Sequence, residues 1–127
     1  MSVVLNEEAY KFARDLIQDR KFVHDDWGKW GSHQPTTALK AQFFNTHCQK
    51  AYAIWHLGLD LEQREDSRAR YRFLYGDFHV VHRCAVLTAE FRATQFRYED
   101  IMRAANVLHA MIEEMHRLGR LHDTRSA

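Results

Sequence analysis

Residues 70–78, RYRFLYGDF, admit two readings, and the fold depends on which one holds. In the first, Gly76 and Asp77 end a polar connection, and Asp77 caps a helix that begins beyond it. In the second, Tyr71, Phe73 and Tyr75 alternate with other residues in a short hairpin, which makes the chain an α+β domain.

The flanking sequence favours the helical reading. One proline and five glycines leave few breaks in 127 residues, so long helices are expected. A first helix, capped by Asn6 with Glu7 and Glu8 in its first turn, runs to about residue 20. Its apolar stripe is Ala9, Phe12, Ala13, Leu16 and Ile17. The loop FVHDDWGKWGSHQPT follows, its Trp27 and Trp30 covering one end of the domain. Thr36 or Thr37 caps a second helix that carries Leu39, Phe43, Phe44, Ala51, Ile54 and Trp55 and stops at Gly58. The polar run DLEQREDSRAR connects it to a third helix with the core line Val80, Cys84, Leu87 and Phe91. A turn at residues 95–98 leads to a fourth helix with Ile101, Ala105, Leu108, Ile112 and Met115, which stops at Gly119. The expectation is an all-α, up-and-down four-helix bundle: one domain over residues 1–127, its tail frayed from about residue 120.

Composition narrows the function. Hydrophobic residues at 46% and charged residues at 28% are ordinary for a folded soluble domain, and a net charge of +1 argues against nucleic-acid binding. No segment reaches membrane-spanning length, and the N-terminal apolar run is too short for a secretory signal, so a cytoplasmic protein is expected. Cys48 and Cys84 form no CxxC pair and read as buried, reduced packing residues. A glycine-rich phosphate loop, a nucleophile elbow and a zinc-protease HExxH motif are all absent from the sequence. Arg64, Arg68, Arg70 and Arg72 are interleaved with Tyr71 and Phe73, but Asp60, Glu62, Glu65 and Asp66 cancel much of their field.

Nine histidines are the unusual feature. In an up-and-down bundle, the end of helix 2, the start of helix 3 and the end of helix 4 share one end. His47, His79, His82, His109, Glu113 and His116 thus reach the same half of the bundle as candidate ligands for zinc, iron or manganese. His82 and His116 are the leading pair, with Glu113 beside His116 in the one Glu-x-x-His match. His56 at the mouth, Asp77 at the rim and Arg83 are the candidate contacts to a small ligand.

The motifs HQPT, WHLG and YGDFHVVHRC together resemble a group of small bacterial proteins of unassigned function, across residues 11–111. That resemblance implies that His33, His56, Asp77, His82 and Arg83 belong to a shared signature; it implies no activity. The expected function is a small helical protein that binds a metal ion or small ligand at its histidine-rich end. The alternative is a non-enzymatic interaction or regulatory protein whose histidines are incidental. Apolar surface left by four amphipathic helices makes a homodimer plausible.

Overall fold

The computed structural model describes residues 3–126, with side chains described as far as residue 121. In chain order the elements are β1 (Val3–Leu5), α1 (Glu7–Gln18), β2 (Phe22–Val23), α2 (Trp30–His33), α3 (Thr37–Thr46), α4 (Gln49–Ala53), β3 (His56–Asp60), β4 (Tyr71–Leu74), β5 (Val81–His82), α5 (Arg83–Gln95) and α6 (Glu99–Ser126). A single 3-10 turn, Arg68–Arg70, leads into β4. The fold is therefore mixed α and β, and the expected all-α four-helix bundle is overturned.

The hairpin reading of RYRFLYGDF is the correct one. β4 pairs antiparallel with β3 (His56↔Leu74, Gly58↔Arg72, Leu59↔Tyr71), and β1 pairs with the other edge of β3. The predicted second helix fails because it is three elements. Thr36 does cap α3, its hydroxyl accepting from the Leu39 amide at 3.1 Å. None of the α3 residues is buried, and Asn45, Thr46 and His47 are weak helix formers. The Thr46 hydroxyl and the His47 imidazole turn back onto the Gln42 and Phe43 carbonyls, and the chain goes extended at His47 and Cys48. Gly58, expected as a helix stop, lies within β3. A Cβ there would meet Phe73 at 2.9 Å and Ile101 at 3.2 Å, so the glycine lets these side chains close over the strand.

The predicted third helix starts late for a related reason. Asp77 caps a turn rather than a helix, its Oδ1 accepting from the His79 and Val80 amides at 3.0 and 2.9 Å. Phe78 adopts φ of 72° at that turn, and β-branched Val80 and Val81 carry the chain into an extended segment. β5 then pairs in parallel with β2 (Phe22↔Val81, Val23↔His82), and α5 starts at Arg83. The predicted fourth helix is present as α6, but it runs through Gly119 to Ser126. One interior glycine costs about 1 kcal/mol, and the Arg20 guanidinium lies over it, donating to the Met115 carbonyl at 3.0 Å. Residue 127, the end of the tail expected to fray, lies outside the described residues.

α5 and α6 form an antiparallel pair, α1 lies along α6, and the three-stranded sheet covers their other side. Ile17, Leu57, Tyr75, Val81, Val86, Ile101, Leu108 and Ile112 are wholly buried between these layers. The β2–β5 pairing delivers the loop after β2 to the N-terminus of α5.

Candidate metal centre

Two residues beyond the β2–β5 register, Asp25 meets the start of α5. Its Oδ1 accepts from the Cys84 backbone amide at 2.8 Å, so a loop aspartate satisfies one of the orphan donors of this helix. Its Oδ2 receives three further donors: His82 Nδ1 at 2.7 Å, His33 Nδ1 at 2.8 Å and the Cys84 thiol at 3.0 Å. The Asp25 carbonyl accepts from Arg83 Nη1 at 3.0 Å, which fixes the loop from its other side. His33 arrives on the short helix α2, anchored by the buried Trp30, whose ring centroid is 5.5 Å from that of His82.

The cluster is largely buried and is built from side chains of metal-ligating types. Asp25, His82 and Cys84 are buried, whereas the His33 side chain is 39% exposed and opens the cluster to solvent. Burial acts to raise the Asp25 carboxyl, but hydrogen bonds from the Cys84 thiol, His33, the Cys84 amide and His82 hold it far below the usual carboxylate range. Burial pulls His82 down, yet hydrogen bonds to Asp77 and Asp25, with their charges, leave it above the ordinary histidine value. Burial, then the Asp25 hydrogen bond and charge, push the Cys84 thiol up to about 12, so it is no nucleophile while it holds its proton.

One ligand atom from each of Asp25, His33, His82 and Cys84 lies within 4.8 Å of all the others. Oxygen, imidazole nitrogen and thiolate sulfur together make a set that suits tetrahedral zinc. The donors around Oδ2 are in hydrogen-bond contact, and an ion among them would spread them by about half an ångström. Behind His82, its Nε2 donates to Asp77 Oδ2 at 2.9 Å, the carboxylate–imidazole arrangement that orients a metal-binding histidine. Asp77 is held low despite its burial by hydrogen bonds from His82 and the Val80 and His79 amides, so it stays a carboxylate.

The sequence candidates divide sharply. His82 is in the cluster and Asp77 and Arg83 brace it. Glu113 lies outside, paired with the Arg83 Nε and with His24 Nε2 at 3.0 Å. His116 stacks on His24 with centroids 3.7 Å apart, and His109 lies between Glu90 and Glu113 at 3.7 and 3.8 Å. His79 is exposed on the Asp77 turn, and His47 is exposed against Phe43. His56 is buried elsewhere, at the start of β3. Cys48, expected buried, is exposed because it caps the solvated α4, whereas Cys84 does more than pack. Reasoning by helix ends missed Asp25 and did not join Cys84 to His82. The signal was the pair His82-x-Cys84, which a strand-to-helix junction turns to one side, together with the acidic HDD stretch at residues 24–26. Compared with known proteins, the chain matches no family model, and no curated protein or solved structure matches it significantly, so the centre is interpreted from its own atoms.

Proposed function

We propose that this protein binds one divalent transition metal ion, zinc by the character of its donors, through Asp25, His33, His82 and Cys84. The observation that carries the reading is the convergence of three exchangeable protons, on two imidazoles and a thiol, upon a single buried carboxylate oxygen. A dication can take the place of those protons. The Asp25 carboxylate and the Cys84 thiolate would neutralise it, so the buried site would carry no net charge of its own.

With four protein donors the coordination shell is complete, which makes the role structural: the ion ties the loop after β2 and helix α2 to the first turn of α5. The test is metal analysis of protein purified without a histidine tag, followed by zinc titration against a competing chelator. One equivalent per chain is expected, retained by Glu113→Gln and His116→Ala and lost by Cys84→Ala. A wild type that takes up no zinc in competition with a weak chelator would refute the reading, and the histidines would be incidental to a surface-borne function.

A further inference from the structure

On the far side of Trp30 from this centre, a cavity of about 270 Å³ opens between α3, β4 and α5. Its charge is one-sided. Lys40, Arg72 and Arg92 line it, and no carboxylate does. Arg72 has one distant carboxylate, Asp60 at 3.8 Å, while among the described residues neither Lys40 nor Arg92 has an acidic partner. Lys40 donates to the Gln34 amide oxygen at 2.7 Å, which holds its ammonium at the wall. A fourth cation, Arg68, acts on Lys40 and on the Tyr52 hydroxyl through its charge. The three cations that line the cavity share one concave wall with no carboxylate among its residues, an arrangement that attracts an anion.

His56 supplies the second observation. It is only 3% exposed, and its Nδ1 donates to the Tyr52 carbonyl at 2.8 Å. A carbonyl only accepts, so the proton sits on Nδ1, and Nε2 is a bare acceptor in a ring that lines the cavity, with no protein partner among the described residues. Burial, with a smaller contribution from the Lys40 charge, keeps this imidazole neutral and outweighs the Tyr52 hydrogen bond. The remaining walls include the rings of Trp30, Tyr52, Tyr71, Phe73 and Phe96.

We infer that this cavity is a binding site for a small organic anion with a planar body, whose carboxylate or phosphate is held by Lys40, Arg72 and Arg92 and whose hydroxyl donates to His56 Nε2. The chemistry follows from the parts: cations for the acid group, aromatic faces for the ring, and one acceptor that favours a ligand carrying a donor. The volume is at the small end for ligand sites and suits a single ring with its substituents.

Isothermal titration calorimetry of the metal-loaded protein tests this with phenyl phosphate, benzoate, the three hydroxybenzoates and neutral benzyl alcohol. The anions should bind and benzyl alcohol should not, and at least one hydroxybenzoate should bind about tenfold tighter than benzoate. Lys40→Met and Arg92→Met should each weaken the anions about tenfold or more without changing metal content. In His56→Phe the advantage of the hydroxyl should vanish. Binding of no anion in the set, equal binding of benzyl alcohol, or unchanged affinity in both Lys40→Met and Arg92→Met would overturn the site. Arg92 is exposed, so its substitution leaves the fold intact even if the buried His56 variant does not. A wild type that takes up no metal yet binds the anions would refute the metal reading alone.

Discussion

Asp25 and Glu113 are both carboxylates with histidines beside them and Arg83 against their residues, yet among the described residues only Asp25 belongs to a group of side chains that could hold a metal ion. Glu113 is 43% exposed in its side chain, and its Oε1 is engaged by the Arg83 guanidinium, a cation that never gives up its proton. Burial is opposed there by the Arg83 hydrogen bond and charge, and then by His24, so Glu113 sits below its usual range and is already neutralised. The Asp25 side chain is 6% exposed, and every donor on its Oδ2 is an imidazole or a thiol whose proton can leave. On the proposed reading, a carboxylate among histidines can serve a metal when it is buried and its present partners are displaceable.

Substituting the two carboxylates separately tests that distinction hardest. Asp25→Asn and Cys84→Ala are each expected to lower zinc affinity by about a thousandfold or more, since each removes a ligand and half of the balancing charge. Glu113→Gln should stay within about threefold of the wild type, as read by chelator competition. A smaller effect is expected for Asp77→Asn, which keeps the shape but weakens the support behind His82: about 10- to 100-fold in affinity.

Acid separates both clusters from the cavity histidine. Burial takes His56 down to about 3, below its ordinary 6.5, so the unfolded chain binds the extra proton and stability falls as pH drops from 6.5 towards 3. Asp25, Asp77 and Glu113, held below their usual values, lose their contributions only in the carboxylate range, so His56 dominates the fall above about pH 4.5. Chemical denaturation of the metal-free protein at successive pH values should show this slope between about pH 4.5 and 6.5 and lose it in His56→Phe. The smallest effect is thermodynamic: Glu113→Gln should cost no more than about 1 kcal/mol, because solvent screens its pairing with Arg83.

Part of this was legible in the residues. The stripes of α1 and α6 and the cap at Thr36 follow from local spacing. The sheet did not, because β3 is hidden in an apolar, glycine-containing stretch whose strand character comes from pairing with Val3–Leu5 and Tyr71–Leu74 at a distance. Once helix 2 is broken and β5 inserted, the depth comparison along parallel rods no longer holds. His116 and Glu113 then lie beside His24, while Asp25 takes the place beside His82 that they were expected to fill. Asp25 itself looked like one more loop acid. The parallel pairing Val23↔His82 is what brings it to His82 and Cys84, and a two-residue strand leaves almost no periodic trace.

Absorption spectroscopy of the cobalt(II)-substituted protein reports on the Asp25 centre itself. One equivalent of cobalt should give intense visible bands of a tetrahedral ion and a near-ultraviolet thiolate-to-cobalt band. Both should be displaced by zinc, absent from Cys84→Ala and unchanged in Glu113→Gln. Weak octahedral bands without a thiolate feature, or a Cys84→Ala spectrum identical to that of the wild type, would show that the ion, if bound, does not sit on Asp25, His33, His82 and Cys84.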